Sequence, residues 1–275
     1  MKNETCSPLK KKSYTCYSSE SLHKLKNLWN ARHPDVSIKA TDDKEIWNAL
    51  KKHMGNLCEN ESCWMRQGFA KHGLTNEMKY YTFAPQAPNE WQANINEWLS
   101  SVDIENVMKQ YEEKDKSFSF FGPTPIDFDS KKLYGECVWE ELCHFNLVEQ
   151  MKKHKKKMGF VFNLDEHWKP GSHWVSLFVD IPTKQICYFD SAGDSIPDEV
   201  MTLVNRITHQ GKQMDIVFSF EENHPFEHQM GDTECGVYSL YFICTMINRP
   251  KFQPFKTKRI SDKEMEKYRH IYFRV

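Results

Sequence analysis

Apolar positions along the chain change period several times. From Ser21 to about Tyr81 they recur at helical spacing, with Leu22, Leu25, Leu28 and Trp29 in one stripe and Ile46, Trp47, Leu50 and Met54 in another. The first 20 or so residues carry no such period and read as a mobile arm or a loosely packed edge. Phe83-Ala-Pro-Gln-Ala-Pro-Asn89 holds two prolines, so a boundary is expected there: a small helical extension over 1–88 and a second unit over 89–275. Trp98 to Tyr111 reads as a helix with Ser100 or Ser101 as N-cap and with Val102, Ile104, Val107, Met108 and Tyr111 turned inward. Pro123 and Pro125 break the pattern after it.

Strand-like runs follow. Met158-Gly-Phe-Val-Phe-Asn-Leu164 is rich in aromatic and β-branched residues, and the lysines of 152–157 before it fit a solvated turn or helix end. His173-Trp-Val-Ser-Leu-Phe-Val179 and Gln185-Ile-Cys-Tyr-Phe-Asp190 flank a segment of turn composition, Asp180–Lys184, and predict an antiparallel hairpin. Symmetric closure pairs residues whose numbers sum to about 363. It sets His173 directly across from Asp190 on one face, where a carboxylate can fix the tautomer of an imidazole and stabilise its charged form.

Gly231-Asp-Thr-Glu-Cys-Gly236 is polar and glycine-bounded, and it precedes Val237, Leu240, Tyr241, Cys244 and Ile247 at helical spacing. Cys235 is therefore expected at a helix N-terminus. The helix dipole and the unpaired N–H groups there favour a thiolate, as a cysteine nucleophile requires. Gln229, six residues upstream, is within reach to donate to an oxyanion beside the Cys235 backbone N–H.

Composition narrows the remaining choices. Thirty-seven basic residues against 38 acidic ones leave no global footprint for nucleic acid or an anionic membrane. No apolar run is long enough to span a bilayer, and the lysine-bearing start lacks the apolar centre of a signal peptide, so an intracellular protein is expected. Nine cysteines without regular spacing read as thiols in a reducing compartment, with Cys187 and Cys244 as core residues. Cys58-x4-Cys63 and Cys137-x5-Cys143 are spaced loosely for metal pairs and nothing completes a tetrahedral set, so neither a metal nor a cofactor is expected.

The order His, Asp, Gln, Cys, in the phrases Gly-Ser-His173-Trp, Tyr-Phe-Asp190-Ser and Gln229-x5-Cys235-Gly, resembles the adenain and SUMO-deconjugating cysteine protease clan. Tyr-Phe-Asp-Ser-Ala-Gly193 looks closer to the polyprotein-processing proteases of large DNA viruses such as African swine fever virus. The likeness is strong from about Gly159 to Asn248 and weaker from Trp91. There Trp98-Leu-Ser-Ser departs at Ser100 and Ser101 from the clan's Trp-Leu-Asn-Asp.

The resemblance implies an α+β fold of papain-like type, a central mixed sheet with the nucleophile helix packed on it. It implies Cys235 as nucleophile, His173 as general base and acid, Asp190 as its orienter and Gln229 as oxyanion donor, with Trp174 and Trp98 walling a narrow substrate channel. It further implies an endopeptidase cutting after Gly-Gly or Gly-x-Gly-like sequences in viral structural polyproteins, acting as a monomer in the virion or the host cytoplasm. Two alternatives accompany it: an isopeptidase removing ubiquitin or a ubiquitin-like protein, and an inactive module that binds Gly-Gly tails.

Overall fold

A computed structural model of the 275-residue chain describes residues 4–10 and 13–274. The chain divides into two compact units, one taking in the residues up to Ala87 and those from His270 onward, the other spanning Pro88–Arg269. The final residues, expected in the second unit, thus cluster with the first.

In the first unit α1 (Ser19–Arg32), α2 (Asp43–Met54) and α3 (Asn76–Tyr81) are each closed at the N-terminus by a side chain, from Ser18, Asp42 and Thr75. These caps satisfy backbone N–H groups that the first turn leaves unpaired. Leu22, Leu25, Trp29, Ile46, Leu50 and Met54 are buried as their spacing requires, and they share a core with Trp64, Met78 and Phe83. The polar start is not the loose arm its composition suggests. Cys16 and Tyr17 are buried, Tyr17 stacks on Trp64 at 5.6 Å, and a Cys6–Cys16 disulfide ties the segment down. Residues 1–3, 11 and 12 of that stretch lie outside the described residues.

The second unit runs α4 (Ser101–Lys114), β1 (Phe118–Pro125), α5 (Glu140–Cys143), α6 (Leu147–Lys152), β2 (Lys157–Asn163), β3 (Trp174–Asp180), β4 (Gln185–Phe189), α7 (Asp198–Lys212), β5 (Ser219–Glu222), α8 (Cys235–Asn248), α9 (Gln253–Thr257) and α10 (Asp262–Tyr272) up to Arg269, the end of that helix belonging to the first unit. The strands form one mixed sheet in the order β1-β2-β3-β4-β5, parallel at β1/β2 and β4/β5 and antiparallel between. The α+β architecture expected from the sequence is therefore the one present.

Phe160, Phe162, Val175, Leu177, Ile186 and Tyr188 pack with Val200, Leu203, Val204 and Ile207 of α7. Helix α8, which begins at Cys235, has 11 of its 14 residues buried. Its Phe242 stacks on Phe189 at 5.1 Å and meets Phe178 at 6.4 Å. A Cβ on Gly159 of β2 would come within 2.9 Å of Ile243, so the strand lacks a side chain where that residue of α8 packs against it. Burial of a ring such as that of Phe242 is worth about 1.5–3 kcal/mol, and this apolar contact fixes the height of α8 above the sheet.

Several expectations need correction. Ser100 is the N-cap of α4, in a reciprocal capping box with Asp103, but Val102 is exposed because it falls on the solvent side of the first turn. Pro123 and Pro125 do not end regular structure. They lie in β1, an edge strand, where a missing N–H costs nothing on the open side. Residues paired across β3 and β4 sum to 365, as in Ser176 with Phe189 and Asp180 with Gln185. His173 is therefore offset by two residues from the position opposite Asp190. A shift of two preserves the face, because side-chain direction alternates with period two.

Six of the nine cysteines are joined as Cys6–Cys16, Cys58–Cys63 and Cys137–Cys143, which overturns the reading of unpaired thiols and removes the reducing-compartment inference drawn from it. The two loosely spaced pairs are disulfides, not metal pairs. Sequence spacing carries no information on whether two Cβ vectors converge. No helix among the described residues is long and apolar enough to cross a membrane.

Candidate active site

The site is assembled where β3 begins, β4 ends and α8 begins. His173 immediately precedes β3 and Asp190 immediately follows β4. His173 Nε2–H donates to Asp190 Oδ1 at 2.6 Å, in a charge-assisted bond, and the Cys235 side chain lies close enough to the ring to help hold its proton. With Nε2 committed to the carboxylate, Nδ1 is the ring nitrogen left for the sulfur. The structure thus brings together the three residues singled out from spacing alone.

Electrostatics favour a charged ring. Burial is the largest influence on His173 and pushes its pKa down. The Asp190 hydrogen bond opposes it, joined by the Cys235 hydrogen bond and the charges of both groups, and the balance raises the pKa to about 10. Asp190 is 1 % exposed, and its Oδ2 has no hydrogen-bond partner among the described residues, so its charge is neutralised chiefly by the imidazole. Cys187 makes a useful contrast: burial, reinforced by Glu221 and Asp180, pushes that thiol up to about 12, as expected of an inert core residue.

Cys235 opens α8, and Glu234 at the N-cap adopts helical dihedrals with no side-chain cap. The first-turn N–H groups at Cys235 therefore have no intrahelical acceptors. Gly236 belongs to the site as well. A Cβ there would sit 3.0 Å from Leu99 Cβ and 3.3 Å from Trp174 Cδ1, so only glycine lets those two residues close over the helix start. Trp174 Nε1–H donates to the Leu99 carbonyl at 3.0 Å, and Ser239 Oγ–H donates to the Trp174 carbonyl at 3.3 Å. Trp174 is buried and Trp98 is exposed, and both line one open groove of about 660 Å³ together with Leu99, Ser100, Trp139 and His167.

Gln229 is buried and held at both ends of its amide. Oε1 accepts from Ser191 Oγ–H at 2.7 Å, and Nε2–H donates to the Gly231 carbonyl at 2.7 Å. The second Nε2 hydrogen has no partner among the described residues, and it is this hydrogen that can meet an oxyanion.

The residues that hold this arrangement carried no signal in the sequence. Asn223, 33 positions from Asp190, accepts from the Asp190 N–H at 2.9 Å and donates to its carbonyl at 2.7 Å, clamping the backbone on both sides. Asp262 accepts from Met230 N–H at 3.0 Å, Gly231 N–H at 2.9 Å and Tyr238 O–H at 2.8 Å, so one carboxylate fixes the loop carrying Gln229 against α8. Arg269, fully buried, makes a bidentate pair with Glu234, donates to the carbonyls of Glu97 and Thr233, and lies 4.7 Å over the ring of Trp91. Losing one partner of such a pair costs about 3–5 kcal/mol, because the other charge stays buried alone. Among the described residues the ligand atoms of Cys137, Cys143 and His144 lie within 4.8 Å of one another, but both sulfurs are spent on a disulfide.

Comparison with known proteins agrees with this geometry. Residues 148–274 match the family described as Ulp1 protease family, C-terminal catalytic domain. Over 272 residues the chain is 30% identical to a protein of Acanthamoeba polyphaga mimivirus named as a thiol protease, covering 96% of this chain and 85% of the relative. It is 28% identical over 260 residues to a protein of African swine fever virus named as a cysteine protease, covering 88% and 92% of the two chains. A crystal structure of the swine fever virus protease superposes with a TM-score of 0.69 at 23% identity, over 99% of this chain and 96% of that one, and so shares the fold. The chain belongs to the Ulp1 family of cysteine proteases, and it is a cysteine-type peptidase.

Proposed function

We propose that this peptidase cuts viral structural polyproteins after Gly-Gly or Gly-x-Gly-like sequences during virion maturation, with Cys235 as nucleophile. The observation that supports this reading above all is the buried Asp190 carboxylate bonded to the His173 imidazole, with the Cys235 side chain near that ring at the start of α8. In this reading the scissile residues pass Trp174, which follows His173 in the chain, and Trp98, which lines the same groove, and indoles at that point favour a substrate chain without side chains. The names of the mimivirus and swine fever virus relatives support the viral setting.

In the proposed cycle the Cys235 sulfur attacks the scissile carbonyl carbon, and the developing oxyanion meets the Gln229 amide and the Cys235 N–H. As the tetrahedral species collapses the C–N bond breaks, and His173 passes its proton to the departing amine. Water, deprotonated by His173, then hydrolyses the thioester, releasing a carboxylate and restoring the thiol. Asp190 keeps the ring oriented throughout. In this reading Pro88–Arg269 carries the catalysis as a monomer without metal or cofactor, in the virion or the host cytoplasm.

A second reading is release of a ubiquitin-like protein, favoured by the name SUMO-1 cysteine protease borne by a swine fever virus relative 28% identical over 260 residues. The deciding experiment incubates the protein with a viral structural polyprotein, with SUMO and ubiquitin conjugates, and with Gly-Gly-x peptides, and maps the new termini by mass spectrometry. Polyprotein cleavage at small-residue sites with conjugates left intact is expected. Cleavage of conjugates alone transfers the assignment to the second reading.

A further inference from the structure

Ser191 stands at the junction of the two halves of the site. It follows Asp190 directly in the chain, its carbonyl accepts the N–H groups of both His228 and Gln229 at 2.9 Å, and its hydroxyl donates to Gln229 Oε1 at 2.7 Å. It is 1 % exposed, so no solvent competes for these bonds. The far end of the same amide is pinned by the Gly231 carbonyl at 2.7 Å, and Gly231 is itself held by Asp262. An amide gripped at its oxygen and at one nitrogen hydrogen has its plane fixed, so the direction of its second N–H is fixed too. Without the hydroxyl, Oε1 would become a buried unpaired acceptor, and the amide would pivot about the Gly231 contact to relieve it.

We propose that Ser191 is a positioning residue for the oxyanion hole, aiming the Gln229 amide from the residue next to Asp190. The inference rests on the reading of Gln229 as an oxyanion donor. It requires that Ser191 act through Gln229 alone, which a double-mutant cycle measures.

In the full chain, Ser191→Ala should lower kcat about tenfold, within the roughly 10²-fold for a whole oxyanion donor, with KM held and the melting temperature lowered by only about 2–4 °C. The rate at which iodoacetamide alkylates Cys235 should stay at the wild-type value, because thiolate formation does not involve the amide. In a Gln229→Ala background, Ser191→Ala should cost nothing more. Multiplicative losses in the double variant overturn the proposal. Full turnover in Gln229→Ala alone sinks the oxyanion reading itself and leaves Ser191 nothing to position. Should Ser191→Ala fail to fold, Ser191→Cys keeps the side chain's size but donates weakly, and it should show the same loss of kcat at unchanged KM. Wild-type kcat in the folded Ser191→Cys variant overturns the proposal.

Discussion

Among the described residues two imidazole–carboxylate pairs, His173–Asp190 and His167–Asp127, have nearly equal geometry but very different surroundings. His173 Nε2 lies 2.6 Å from Asp190, and His167 Nδ1 lies 2.7 Å from Asp127. Both sit in the same unit. The difference is in what surrounds them. Asp190 is buried and its ring partner reaches a third group, the Cys235 sulfur, at a helix N-terminus. The His167 ring is 40% exposed at the groove wall, and Asp127 spends its other oxygen on the His167 backbone N–H at 2.9 Å. Asp127 therefore shapes a loop, whereas Asp190 holds a charge. A short His–Asp distance is thus weak evidence for an active site until burial and a nucleophile complete it.

The largest expected effect breaks the first pair. Cys235→Ala should lower kcat/KM on the order of 10⁴-fold or more with the melting temperature retained, and His173→Ala should lower it as far while also costing stability because Asp190 stays buried without its partner, whereas His167→Ala should leave kcat unchanged and move KM alone. Comparable losses of kcat in steady-state assays of His173 and His167 variants would erase the distinction between the pairs.

Gln229→Ala should cost about 10²-fold in kcat, the scale of one oxyanion donor, with KM unchanged. Loss confined to KM would move Gln229 from the oxyanion to the binding of substrate.

Asp190→Asn should be milder than loss of His173, since an amide oxygen still accepts from the ring but brings no charge. It sharpens the comparison through pH. Because the His173 pKa is raised to about 10 in the folded protein, the pair's stabilising contribution is complete below the unfolded value of 6.5 and is lost as pH rises through the folded one. Removing the carboxylate charge should lower the alkaline limb of kcat/KM and weaken the pH dependence of stability across that window. An alkaline limb unmoved in Asp190→Asn would show that the carboxylate does not set the charge state.

The smallest effect concerns a third imidazole. Burial lowers the pKa of His228, with its bond to the Phe255 carbonyl opposing and Arg259 adding to the shift. Its Nε2–H donates to that carbonyl at 2.8 Å and its Nδ1 accepts from Ile260 N–H at 3.2 Å, so the neutral ring satisfies both neighbours. Its contribution is present above the unfolded pKa of 6.5 and is lost as pH falls through the depressed folded value. Denaturant melts between about pH 7 and pH 5 should show a slope that His228→Gln flattens.

Much of the site was legible because it depends on short-range rules. Alternation along His173–Val179 and Gln185–Asp190 put both polar ends on one face even though the assumed register was two residues off, since an even slip preserves parity. The glycine-bounded start and apolar stripe after Cys235 marked a helix N-terminus without tertiary information. β1 was missed because its prolines look like breakers unless the strand is known to lie at an edge. The burial of the start of the chain was missed because its polar composition gives no hint of Tyr17 stacking on Trp64, 47 positions away.

By itself, then, the sequence determined the elements and the chemical types at their ends: an imidazole, a carboxylate, an amide, and a thiol at a helix start. Backbone sterics and side-chain periodicity act between near neighbours, so these features are written locally. The tertiary structure alone decided which cysteines pair, how far the hairpin is offset, and which distant groups hold the site still. Asn223 reaches Asp190 across 33 residues, Ser191 reaches Gln229 across 38, and Arg269 reaches Glu234 across 35. Such contacts exist only once the sheet and α8 have buried their apolar faces, because a hydrogen bond between distant residues outcompetes water only where packing has excluded it.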